Sequence, residues 1–148
     1  MNVRIAVVFA LAAFMGNAYA ADKNETSKRE CLFSSQPQSW RVLDQQQLVL
    51  WGPSSKDAYL VKLFAPVQDL RFTESLAFID RDHNGMICGD GSDQIAIPNS
   101  KVSSFPTIIT SMRKVDDAEL VTLGEQYKVK LISDKKAQAL KDHDKQAH

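Results

Sequence analysis

Between Ile79 and Asp93 the chain reads Ile-Asp-Arg-Asp-His-Asn-Gly-Met-Ile-Cys-Gly-Asp-Gly-Ser-Asp, a run that gathers turn formers, carboxylates and one of the two cysteines. Asp80, Asp82, Asn84, Gly85 and Ile87 fall at positions 1, 3, 5, 6 and 8 of the calcium-loop pattern D-x-[DN]-x-[DN]-G-x-I. In that pattern side-chain oxygens at odd positions converge on a hard cation, and glycine permits the sharp bend. Position 7 would add the backbone carbonyl of Met86. The second half departs: position 9 is Cys88, and Gly91 stands at position 12, where a bidentate glutamate normally closes the shell. Asp90 and Asp93 are nearby but out of register for that role. The run therefore predicts one of two things. Either Asp80, Asp82, Asn84 and Met86 hold Ca²⁺ weakly, or Asn84-Gly85 is the turn of a β-hairpin joining Leu76–Ile79 to Met86–Cys88. No cofactor other than Ca²⁺ is implied.

His83 lies beside Asp80, Asp82 and Asp90 in sequence. Such neighbours could raise its basicity and make it, with Asp80 or Asp82, the acid–base machinery of a hydrolase-like enzyme; a solvated turn histidine has the same sequence. No G-x-S-x-G, H-E-x-x-H or phosphate-cradling glycine loop occurs, and His143 and His148 in the tail do not make a metal site. No catalytic residue is assigned. Trp40 and Trp51 either fill the core or form an aromatic platform for a sugar or a partner protein.

These groups need elements to place them. Ser39–Leu43 and Gln47–Trp51 read as strands around a turn at Asp44–Gln46, and Gly52-Pro53 ends the second. Ala58–Phe64 is the clearest strand, with Tyr59, Val61 and Leu63 on one face and Pro66 behind it. Phe72, Leu76 and Ile79 could line a short helix entering the acidic turn. Gln94–Ile97 and Thr107–Met112 are further strand candidates, and Asp116-Asp117-Ala118-Glu119 opens a helix carrying Leu120, Leu123 and Tyr127, with Gly124 counting against it. Residues 133–148 read as a polar tail, a frayed helix or disordered. The pattern predicts an α+β, mostly antiparallel β fold: a small curled sheet or partly open barrel closed by a C-terminal helix. One β-rich domain would span residues 31–132.

The chain has 148 residues. Residues 1–20 read as a signal peptide, with Arg4, an apolar run from Ile5 to Met15, and Ala18-Tyr19-Ala20 before the cleavage point; 21–30 is a flexible lead-in. The mature protein is then expected in the periplasm or outside the cell, without a transmembrane segment. Removing Arg4 from the 18 basic residues leaves 17 against 18 acids, so nothing in the charge suggests nucleic acid or an anionic membrane as partner. A protein or envelope-component partner stays open. In an oxidising compartment, pairing of Cys31 with Cys88 is the default; a reactive thiol is the competing reading and lacks a C-x-x-C partner.

The landmarks Cys31-Leu32, Leu43-Asp44, Tyr59-Leu60-x-x-Leu63, Leu70, Cys88-x-Asp90 and a late Ile-rich strand fall between residues 31 and 115. In that order they resemble a family of small secreted proteobacterial proteins known only as a domain of unknown function. The resemblance implies a second cysteine pair in many members, where this chain has Ala65-Pro66 and Phe105-Pro106. It implies compartment and fold and no activity. The functional expectation is accordingly a small exported binding or structural module with a calcium-binding turn at 80–91, the alternative being a periplasmic enzyme built on Asp80, Asp82 or His83.

Overall fold

The computed structural model describes residues 30–54, 56–103 and 105–146. The expected leader and, apart from Glu30, the lead-in lie outside the described residues, as does His148. In chain order the elements are β1 (Cys31–Phe33), β2 (Ser39–Val42), β3 (Gln47–Trp51), β4 (Ala58–Leu63), a 3₁₀ turn (Leu70–Phe72), β5 (Ala77–Ile79), β6 (Met86–Cys88), β7 (Gln94–Ala96), β8 (Thr107–Val115), α1 (Asp117–Tyr127) and α2 (Asp134–Gln146). Strands β2-β3-β4-β8-β7-β5 form one antiparallel sheet curled into a half-barrel, and β1 pairs with β6 as a separate ribbon. The fold is α+β, as the strand spacing predicts.

The sheet is covered on both faces, which the burial of β3 makes plain: Leu48, Val49 and Leu50 are consecutive and all fully buried. Side chains alternate across a strand, so neighbouring buried residues must have cover on opposite sides. On one face Leu48, Leu50, Val61, Leu63, Ile109 and Met112 pack with Leu32 and Ile87 of the ribbon and with Val67 and Leu70. On the other, Val49, Ala58, Leu60 and Val115 pack under Leu120 and Leu123 of α1. Register explains the match: Leu48 faces Val61, and Val61 faces Met112. Each such aliphatic side chain, fully buried, contributes roughly 1.5–3 kcal/mol.

Helix α1 starts where the Asp116 carboxylate accepts the Glu119 N–H at 2.8 Å, a side-chain cap on an otherwise orphaned donor. Gly124 belongs in this helix for a tertiary reason. A Cβ there would come within 2.8 Å of the Val129 carbonyl, because the chain leaving the left-handed cap at Lys128 folds back over it.

Two local expectations are corrected, and one left open is decided. The segment with Phe72, Leu76 and Ile79 is no helix: the 3₁₀ turn stops at Thr73, whose hydroxyl accepts the Ser75 N–H and donates to the Ser75 carbonyl, drawing the backbone out of helical bonding. The turn at Asn84-Gly85 does not join a hairpin, since β5 pairs with β7 and β6 pairs with β1. Of the two readings of the tail, a helix or a disordered end, the structure has the helix: Lys136 and Lys141 pair with Asp117 and Glu125 of α1, while Ala137 and Leu140 are half-buried.

Candidate metal centre

The acidic turn is shaped by its first aspartate. Asp80 Oδ2 accepts the Gly85 N–H at 2.5 Å and Oδ1 accepts the Asn84 N–H at 3.3 Å. The backbone wraps around that carboxylate, with His83 at φ 57° and Gly85 at φ 78°. Glycine tolerates this region freely and histidine at some cost. A wrap of this length is not a two-residue hairpin turn, and it sends β5 and β6 into different sheets. Asp82 accepts from the Asn84 side chain at 2.7 Å, and the Asn84 carbonyl oxygen accepts the Met86 N–H at 2.6 Å.

Strand β6 then runs opposite β1, placing Cys31 across from Cys88 with Cα atoms 4.4 Å apart and the two sulfurs bonded. Directly opposed residues of a non-hydrogen-bonded antiparallel pair sit at about that separation, so the ribbon's register suits the crosslink. The Ser34 N–H also donates to Gly85 O at 2.9 Å, tying β1 to the turn itself.

Beyond β6 the chain is pressed against β8. A Cβ on Gly89 would fall 1.8 Å from the Met112 backbone nitrogen, so only glycine permits this approach. Gly91 N–H donates to Ile109 O at 3.1 Å, and Ile109 N–H donates to Asp93 O at 2.9 Å. These bonds carry Asp93 back under the acidic turn. It is completely buried, and its Oδ2 accepts the Cys88 N–H at 2.7 Å. Its Oδ1 is buried and, among the described residues, has no hydrogen-bond partner. One carboxylate oxygen from each of Asp80, Asp82 and Asp93 lies within 4.8 Å of the other two.

Three carboxylates this close repel. Burial would push the Asp80 carboxyl up, but hydrogen bonds from Asp82 and from the backbone of Gly85, Asn84 and His83 outweigh it and hold it below the usual value. Asp82 moves the other way, raised by its hydrogen bond with Asp80, by burial, and by the charges of Asp80 and Asp93. The group can therefore share a proton or take a cation. Asp69 also has a buried oxygen without a partner, but it belongs to no such group: the Ser100 hydroxyl donates to its other oxygen.

The residues expected from the sequence are thus distributed as follows. Asp80 and Asp82 come together; Asn84 and Met86 flank them, bonded to one another. Asp93 is the acid that counting along a loop discards, because it arrives from the far side of β6. His83 is exposed at the tip of the turn. Neither it nor Asp80 nor Asp82 lines the cavity of about 770 Å³ beside β2. Trp40 and Trp51 are each half-buried against a core cluster, and both line that cavity.

Among known families, residues 1–130 match one described as a family of unknown function, DUF6491. The unknown-function family expected from the Cys, Tyr-Leu and Cys-x-Asp landmarks is in keeping with this. No curated protein matches, and no solved structure does.

Proposed function

We propose, for a chain that belongs to this family of unknown function, that it is an exported binding or structural module whose acidic turn holds Ca²⁺. The observation that carries the reading is the buried, unpartnered Oδ1 of Asp93 beside Asp80 and Asp82. Leaving a buried carboxylate oxygen unpaired is costly, and a coordinated cation would supply its missing partner. All-oxygen donors favour a hard cation over Zn²⁺. Oxygens bound to Ca²⁺ at roughly 2.3–2.6 Å can lie up to about 5 Å apart. A trio within 4.8 Å fits that span. Asn84 and the Met86 carbonyl would add two more oxygens, with water filling the rest of the shell.

Export is supported by the Cys31–Cys88 bond, since disulfides persist chiefly in oxidising compartments. No described helix is long and apolar enough to cross a membrane. In this reading residues 1–20 are the leader, 31–132 the domain and 133–148 an appended tail.

The test is a thermal-shift and calorimetric titration of the oxidised protein with millimolar Ca²⁺, beside Asp93→Asn and Asp80→Asn. Binding at a hundredfold excess over Kd should stabilise the wild type by about 2.7 kcal/mol. Both variants should lose most of that response. A wild type that ignores Ca²⁺ sinks the reading.

A further inference from the structure

We propose that strand β2, one of the two end strands of the six-stranded sheet, takes up an extended acidic peptide segment as an added strand. This surface is separate from the acidic turn, so the two readings stand or fall independently.

The backbone supplies the first part of the argument. Among the described residues strand β2 ends the sheet, with β3 on one side only. The Leu43 N–H donates to Gln47 O at 2.9 Å, and the register runs from Val42 opposite Leu48 to Ser39 opposite Trp51. Hydrogen-bonded and non-bonded pairs alternate along an antiparallel ladder. Leu43, Arg41 and Ser39 therefore point their N–H and C=O groups at β3, and Trp40 and Val42 point theirs outward. A row of outward backbone groups is a template for another strand.

The surroundings leave room for one. The cavity of about 770 Å³ follows the edge past Gln38, Trp40 and Arg41 and is walled by Lys130, Leu131 and Lys136. A second, of about 300 Å³, continues past Arg41 and Val42 to Leu70 and Arg71. Together they run the length of β2.

Charge names the occupant. Among the described residues, Arg41, Arg71, Lys130 and Lys136 line these two clefts against a single acid, Asp117. Lys130 and Lys136 are held by Asp134 and Asp117. Arg41 reaches the Trp40 carbonyl and Arg71 the Leu43 carbonyl; among the described residues neither has a carboxylate partner. Side chains alternate along β2: Arg41, opposite Val49, lies on the helix-covered face, and Trp40 and Val42, opposite Leu50 and Leu48, on the other. The fitting peptide alternates acidic residues toward Arg41 and apolar residues toward Trp40 and Val42. A second copy of this chain fits worse, because antiparallel pairing of two β2 edges through Trp40 and Val42 sets Arg41 against its own counterpart.

The experiment titrates the oxidised protein with a short peptide alternating glutamate and valine, its lysine–valine counterpart, and versions of the first N-methylated on one or the other set of alternate residues. The glutamate peptide should bind and the lysine peptide should not. One N-methylated set should abolish binding and the other spare it, since only alternate N–H groups face the protein. Val42→Pro removes an outward donor that takes no part in the ladder, and should weaken binding about tenfold while leaving the unfolding transition in place. Arg41→Glu should transfer the preference to the lysine peptide. Absence of glutamate-peptide binding, equal binding of both peptides, or indifference to N-methylation on wild-type protein overturns the proposal. So does a dimer that Val42→Pro separates, which would give the edge to a second copy.

Discussion

At the scale of single residues, two glycines in one loop illustrate different constraints. Gly91 has φ 90°, a region that side-chain-bearing residues enter only with strain, yet nothing would touch an added Cβ. Gly89 has no positive φ, but its Cβ would collide with the β8 backbone at 1.8 Å from Met112 N. Backbone atoms cannot rotate away as a side chain can. Gly91→Ala should therefore cost about 1–2 kcal/mol, and Gly89→Ala more than about 3 kcal/mol with displacement of the loop that carries Asp93. Urea unfolding of the two variants checks the ranking, and a smaller loss at Gly89 contradicts it. The sequence gives no sign of the Gly89 constraint, since close approach to a strand more than twenty positions later leaves no local mark. Asp93 was obscured in the same way: its distance from Asp80 along the chain says nothing about a loop that doubles back.

At the scale of elements, strand positions followed from alternation and breakers, and partners did not. The segments at β3, β4, β7 and β8 and the start of α1 were legible because each has its own apolar period and stop signal. The three-residue strand β1 carries too few residues to show a period and was missed as a strand, while β5 was read as a strand at Leu76–Ile79 but given the wrong partner. Helix α2 stayed open between a frayed helix and a disordered end, as its polar composition gives no apolar stripe to read. Its contacts with α1 are largely ion pairs, Lys136–Asp117 and Lys141–Glu125, on partly exposed side chains. Exposed pairs of this kind are worth about 0–1 kcal/mol each and are screened by salt. Amide exchange across α2 should accordingly quicken several-fold between low salt and about 1 M salt, while amides of β4 and β8 stay protected. Protection of α2 that does not respond to salt would show that Ala137 and Leu140 hold it instead.

For the molecule as a whole, one covalent bond joins the two-stranded ribbon that closes the barrel face. The Cys31–Cys88 link spans 57 residues. Closing such a span restricts the unfolded chain by about 4 kcal/mol in the loop-entropy picture. Reduction, or Cys31→Ser with Cys88→Ser, should lower unfolding free energy by about that amount and leave the strand content of the folded state intact. A loss below about 1 kcal/mol would mean that the ribbon holds through Leu32 and Ile87 alone. The ribbon also fixes the Cys88 N–H on which Asp93 rests, so the crosslink and the candidate centre share a support. What the sequence by itself determined was local: where turns fall, which residues alternate, that two cysteines allow one intramolecular pairing, and that carboxylates crowd one bend. Those properties depend on near neighbours along the chain. Which strands pair, which acid is buried beside the bend, and which strands end the sheet were decided by packing among distant segments. A carboxylate's partners are set by distance in space, and only the assembled sheets fix that distance.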